Sequence, residues 1–217
     1  MIVLGLDTAL GACSAAVTAG GETLAVLSEP MTRGHQERLA LMVQETMAQA
    51  GLGFDRLDRI GVTVGPGSFT GLRIGLAFAK GLGLALKKPV IGVGSLEALA
   101  ASIAGVDLVL AAIDARRDQI YLQAFSDGRS VMAPDVLPVE TAAARLAEFN
   151  PMGEVVIVGS GAPLLDGMIA GARLEPLAAP DPLAVARLAA AKPVTPPRPL
   201  YLRSPDAKLP GGIDPWS

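Results

Sequence analysis

Histidine and cysteine are almost absent from these 217 residues, with His35 and Cys13 the only examples. A single imidazole cannot build the cluster of two or three histidines, or of histidine and carboxylate, that transition-metal catalysis uses. Set among Arg33, Gln36, Glu37 and Arg38, His35 is expected on a solvated helix start, a poor place for the base of a Ser or Cys triad. The lone cysteine can close no internal disulfide and make no zinc site, which fits a reducing compartment; beside Ala12 and Ser14 in an alternating strand it reads as a small packing residue. An excess of positive charge is also missing. Lys and Arg number 18 against 21 Asp and Glu, a net charge of −3, so the chain has no bulk attraction for a polyanion. Asp7, Arg59, Arg73, Lys80 and Glu97 are expected to interrupt the apolar runs before the roughly 18–20 residues of a membrane span. The N-terminus has no basic region ahead of an apolar core. These absences point to a soluble, cytoplasmic protein with no membrane partner.

What is present centres on residues 65–75, GPGSFTGLRIG, which leave the apolar run 60–64 and open onto another apolar segment. Strand, tight turn and helix follow from the pattern. The glycines at 65, 67 and 71 permit positive φ and close backbone approach, and Ser68 and Thr70 are candidate caps for the helix. Such a turn can hold an anion or dock a partner. Around it the sequence predicts strands at 2–6, 13–18 and 23–27, a helix over 35–50 closed by Gly51, a strand at 60–64, a helix over 72–86, a strand at 90–93 and a helix over 96–103. Further on, strands are expected at 108–113, 120–125 and 155–158, and helices at 140–149 and 182–191. After Lys192 the prolines at 193, 196, 197, 199, 205, 210 and 215 forbid a long helix and predict an extended surface tail. Three strands followed by alternating helices and strands make a mixed α/β sheet covered by helices. No repeat is visible in the spacing.

Together with the glycine loop, several stretches resemble the TsaB (YeaZ) family. These are Leu4-Gly5-Leu6-Asp7-Thr8 with Ala12 to Val17, Gly34 to Leu39, Asp114-Ala115-Arg116-Arg117 with Tyr121, and Tyr201-Leu202-Arg203. The resemblance runs nearly end to end. It implies an actin-like (ASKHA) fold of two lobes, the second reduced: a first lobe over 1–104, a smaller one over 105–192 and a proline-rich tail over 193–217. It implies a non-catalytic subunit that binds and activates TsaD in forming threonylcarbamoyladenosine next to the anticodon of tRNA. TsaE would be a further partner, tRNA would be reached only through the complex, and a homodimer would form when TsaD is absent. No cofactor is implied for the chain alone, although ATP and Mg²⁺ can act in the complex.

Candidate site residues follow from both lines. Asp7, past a buried strand and before a tight turn, is where superfamily members handle Mg²⁺ and phosphate, and is also a good turn aspartate. Ala9, without a side-chain oxygen, departs from the hydroxyl-rich turn of the family. Gly159-Ser160-Gly161 after a strand is either a phosphate cradle or a simple turn. The helix over 72–86 carries small residues at 71, 75, 79 and 83 on one stripe and almost no polar face, which predicts a helix–helix interface. With the helix over 35–50, the expected interface comprises Leu39, Val43, Met47, Ser68, Phe69, Thr70, Arg73, Gly75, Ala79 and Leu82. Asp114, Arg116 and Arg117 are expected to contact other subunits or nucleotide. The rival reading is an independent small kinase or ATPase centred on Asp7; a protease lacks any plausible triad or metal site.

Overall fold

A computed structural model of the protein describes residues 1–147 and 153–203. The first five strands, β1 (Ile2–Asp7), β2 (Ala12–Ala19), β3 (Glu22–Pro30), β4 (Arg59–Thr63) and β5 (Val90–Val93), form one sheet in the order β3-β2-β1-β4-β5. β1 runs antiparallel to β2 and parallel to β4. The second sheet holds β6 (Leu108–Arg116), β7 (Gln119–Ser126), β8 (Arg129–Ser130), β9 (Asp135–Pro138), β10 (Val155–Val158) and β11 (Arg173–Glu175), in the order β11-β10-β6-β7-β8, with β9 also pairing β7. β6 is antiparallel to β7 and parallel to β10. The two sheets therefore repeat one topology, β6 taking the place of β1, β7 of β2 and β10 of β4. Spacing in the sequence conceals this duplication because the connecting elements differ in length.

The helices are α1 (His35–Gln49), α2 (Phe69–Leu86), α3 (Ser95–Ala101), α4 (Val139–Ala147) and α5 (Pro182–Ala191). Where the first lobe has α2 between β4 and β5, the second has only the 3₁₀ turn Ala162–Leu165 between β10 and β11. This is the reduction of the second lobe. α3 and α5 then exchange sheets. α3 follows the first sheet but packs on β6 and β7, while α5 follows the second but packs on β1, β2 and β4. The division expected at 104/105 thus separates the strands but not the helices, because each sheet completes its cover with a helix from the other half.

Strands covered on both faces read as continuous apolar runs, as β10 and β1 up to Asp7 do. The close approach of α5 depends on two glycines. A Cβ at Gly5 would lie 2.6 Å from the Ala186 nitrogen, and one at Gly61 would lie 2.5 Å from the Ala189 Cβ. Arg59 then fixes the helix end, donating from Nη1 to the carbonyls of Ala189 (3.2 Å), Ala190 (3.2 Å) and Lys192 (2.7 Å). These are terminal carbonyls with no partner inside the helix. Arg59→Ala should cost about 1–2 kcal/mol, after discount for its partial exposure. A lower urea midpoint at unchanged slope would show it, and an unchanged midpoint would refute the capping role.

Helix ends follow local chemistry. Ser68 accepts from Gly71 N and starts α2 at residue 69, three residues before the expected start. Gly51, at φ +65°, follows α1, and Asp181 caps α5 ahead of Pro182. The tail prolines at 193, 196, 197 and 199 lie in a segment without helix or strand. Those at 205, 210 and 215, and Phe149 at the expected end of α4, fall outside the described residues.

α2 corrects the expectation about apolar runs. At 18 residues, with Arg73 and Lys80 its only charges, it is long and apolar enough by composition to cross a membrane, and a third of it is buried. In the fold it lies on β4 with contacts to β1, β5 and α1.

Candidate functional site

The stripe of small residues on α2 faces inward. A Cβ at Gly75 would lie 2.5 Å from Thr8 Oγ1, one at Gly83 would strike Val90, and Ala79 is fully buried. On α1, Leu39, Val43 and Met47 are each about 1 % exposed and belong to the core with Leu4, Leu6 and Ile60. Val43, Met47, Gly75 and Ala79 are therefore core residues, contrary to the interface expected for them, while Leu39, equally buried, also lines the α1/α2 groove. Small residues let a helix settle onto its own sheet as readily as onto a partner. Leu82 is half-buried against the same cluster.

The opposite face of α2 is the one left open. Phe69 (41 % exposed), Thr70, Arg73, Ala77, Gly81 and Leu84 (83 %) are exposed, with Ile74 and Phe78 half-buried between them. Against α1 this face makes a groove of about 520 Å³ lined by Gln36, Leu39, Phe69, Thr70, Arg73, Ile74, Ala77 and Phe78. Leu41 of α1 adds a further exposed apolar side chain, 55 % open. The Arg73 guanidinium lies over the Phe69 ring, 3.7 Å from its centroid, and Phe69 is tilted against Tyr201 at 5.5 Å. Ser68, Phe69, Thr70 and Arg73 thus reach the surface as expected; Phe78, Leu84 and Leu41, apolar positions of the same two helices that the expected interface leaves out, join them, as does Ala77. Taking the side of the helical wheel opposite the small-residue stripe picks out Ala77 and Leu84 on α2, with Phe78 on the flank.

The glycine loop serves the fold. Gly67 packs where a Cβ would lie 2.5 Å from the Ala9 carbonyl, Ser68 N donates to that carbonyl at 2.8 Å, and Thr8 Oγ1 donates to the Gly71 carbonyl at 2.8 Å. The loop is therefore folded onto the β1–β2 turn. Asp7 lies beneath it, fully buried. Its Oδ1 accepts from Thr63 Oγ1 (2.6 Å) and Ala9 N (3.1 Å), and Oδ2 has no partner among the described residues. Burial pushes the carboxyl from 3.8 up to about 6, against the lowering by Thr63 and the backbone amides. Because the folded state holds this proton more tightly than the unfolded chain, the group stabilises the fold at low pH, and that contribution is lost as pH rises through about 6. Asp7→Asn keeps the acceptor and removes the titration. Unfolding free energy of the variant should be flatter between pH 4 and 6.5, and at pH 7.5 it should exceed that of the parent by up to about 3 kcal/mol. An unchanged pH profile would show that Asp7 is not held near neutrality.

Between the lobes lies a cleft of about 440 Å³, lined by Ala9, Leu10 and Ser68 on one side and by Asp114, Arg116, Tyr121 and Ser160 on the other. Asp7 does not line it. Asp114 accepts from Arg116 N (2.7 Å) and from Arg116 Nη1 (3.1 Å), closing a local pair at the β6–β7 turn, with Arg117 exposed at its tip. Ser160 Oγ accepts from Asp114 N at 3.2 Å, so Gly159-Ser160-Gly161 ties this turn in place.

Two isolated groups correct or complete the picture. His35 is 7 % exposed, not solvated, because α1 lays its first turn on the sheet. Burial lifts the Cys13 thiol to about 11, well away from a reactive thiolate. Among the described residues no three His, Cys, Asp or Glu side chains gather as a metal site.

Known proteins share this arrangement. Residues 25–156 match the family model described as TsaD: tRNA N6-adenosine threonylcarbamoyltransferase. The tRNA threonylcarbamoyladenosine biosynthesis protein TsaB of Escherichia coli is 36% identical over 169 residues, spanning 74% of this chain and 72% of that protein. The structure of YeaZ from Pseudomonas aeruginosa superposes with a TM-score of 0.79 at 33% identity, covering 93% of this chain and 99% of that one. A ROK hexokinase from Thermus thermophilus, at 17% identity and a TM-score of 0.51 over 88% of this chain and 98% of its own, shares the fold alone. The two-lobed actin-like class expected from the sequence is the class observed.

Proposed function

The chain belongs to the TsaB/YeaZ family, and from that premise we propose that it is a non-catalytic subunit that binds and activates TsaD through the outer face of α1 and α2. The family's role lies in tRNA threonylcarbamoyladenosine biosynthesis, and the match to the TsaD family model supports a partnership with TsaD. One observation carries the docking reading: on the apolar face from Phe69 through Ile74, Ala77 and Phe78 to Leu84, with Leu41 beside it, Phe69, Ala77, Leu84 and Leu41 stay exposed among the described residues. Exposed apolar area of this kind marks interaction surfaces. Two helices laid across two helices of a partner with a related fold would bury it.

On this reading the chemistry of threonylcarbamoyl transfer resides in TsaD, and this chain shapes the partner's cleft from outside. ATP and Mg²⁺ act in the complex, TsaE joins it as a further partner, and tRNA is met through the assembly, since a chain of net charge −3 offers little to a polyanion. The same face pairs two copies of the chain when TsaD is absent, in the cytoplasm where tRNA is modified. The reading is tested by the rate of threonylcarbamoyl transfer to tRNA by TsaD and TsaE, with and without this chain. A rise of at least tenfold on its addition is expected, and an unchanged rate would contradict an activating role.

A further inference from the structure

We propose that residues 193–203 are a strap that couples occupancy of the α1/α2 face to the geometry of the interlobe cleft, an inference that rests on the docking reading above. The segment has no helix or strand of its own, yet it is anchored at Pro197, Leu200, Tyr201 and Arg203. Pro197 lies against Gly92, where a Cβ would come within 3.3 Å of its ring. Leu200 N donates to the Val64 carbonyl at 2.7 Å, just past β4, and the Leu200 carbonyl passes so close over Gly65 that a Cβ there would lie 2.6 Å away. Tyr201 then packs on Phe69 at 5.5 Å. Two residues later Arg203 Nη1 donates to the Ala115 carbonyl (2.9 Å) and to Gln119 Oε1 (3.3 Å), on the β6–β7 turn of the other lobe.

Phe69 belongs to both sides of this link, lining the α1/α2 groove and carrying Tyr201. Arg203 lines the interlobe cleft, as does Ser68, the cap of α2. From Tyr201 to Arg203 the chain spans at most about 7 Å, so a shift of Phe69 has little slack to absorb it before it reaches the second lobe. The turn it reaches is held in an uncommon conformation: Arg116, Arg117 and Asp118 have φ of 63°, 57° and 56°. Three non-glycine residues in the left-handed region persist only where the surroundings hold them, and the Arg203 bonds to Ala115 and Gln119 bracket the three. A partner that fixes Phe69 and Arg73 therefore also fixes the strap and, through Arg203, the mouth of the cleft.

Hydrogen exchange by mass spectrometry on the full chain, alone and with purified TsaD, tests this. Binding should slow exchange in α1 and α2 and also, about tenfold, in residues 114–119, which lie outside the groove. In Arg203→Ala and in Tyr201→Ala, binding and protection of α1 and α2 should persist while the slowing at 114–119 disappears. Slowing at 114–119 that survives in both variants, or that never occurs in the parent, would overturn the coupling. Absence of protection in α1 and α2 as well would instead overturn the docking reading itself, and the coupling with it.

Discussion

Ala77→Glu is expected to abolish pairing with TsaD while leaving the isolated chain folded. Ala77 is exposed at the centre of the α2 face, one turn from Arg73 and Gly81, so a glutamate there remains in water in the free protein. In a complex the same carboxylate would be taken into an apolar, desolvated interface, and even paired with Arg73 one turn away its desolvation would cost several kcal/mol. At about 1.4 kcal/mol per tenfold, the affinity should fall by at least a hundredfold, with melting temperature and circular dichroism unchanged. The substitution that the sequence alone would suggest, Ala79→Leu, tests something else. Ala79 has no exposed surface, and a leucine there overpacks the core and lowers stability by about 1–3 kcal/mol. Retained affinity in Ala77→Glu would move the interface away from this face.

Gly71→Ala carries the largest expected effect on stability. A Cβ at Gly71 would collide with the Thr8 carbonyl, a backbone atom of the β1–β2 turn that cannot swing aside. The Gly71 carbonyl also accepts the Thr8 hydroxyl, so separating the two segments would break that bond too. The loss should exceed about 3 kcal/mol, at the upper end of single-residue effects. Gly81→Ala is the internal control. It lies in the same helix, is exposed, and has nothing within 4 Å of its would-be Cβ. Alanine there should stabilise by about 0.5–1 kcal/mol through helix propensity. Equal responses at the two sites in thermal or urea unfolding would mean that the loop does not pack on the turn as described.

Local chemistry made most of the fold legible. Proline at 182 after Asp181, Gly51 after α1 and the apolar run of β10 each specify a boundary through a local interaction, and those elements lie where the sequence places them. The exchange of α3 and α5 between the sheets was not legible, because it depends on contacts between Gly5 and Ala186 and between Gly61 and Ala189, more than 120 residues apart. The candidate site shows the same division. Periodicity correctly marked α2 as apolar nearly all round, but it cannot say which face meets the sheet. That choice is made by Thr8, Val62 and Val90, which accept glycine and alanine and leave no room for the larger residues of the other stripe. His35 was misplaced for a similar reason: its polar sequence neighbours point to solvent while its own side chain turns in. Among the remaining residues, Arg38 is held by Glu29 of β3 and Glu45 of α1, a bridge that joins adjacent elements through contacts no motif announces.

Size-exclusion chromatography with light scattering, on the chain alone and mixed with the TsaD of the same cell, tests the central claim most directly. A homodimer that converts to a one-to-one heterodimer on mixing is the expected result. A chain whose mass is unaffected by TsaD would contradict docking through the α1/α2 face.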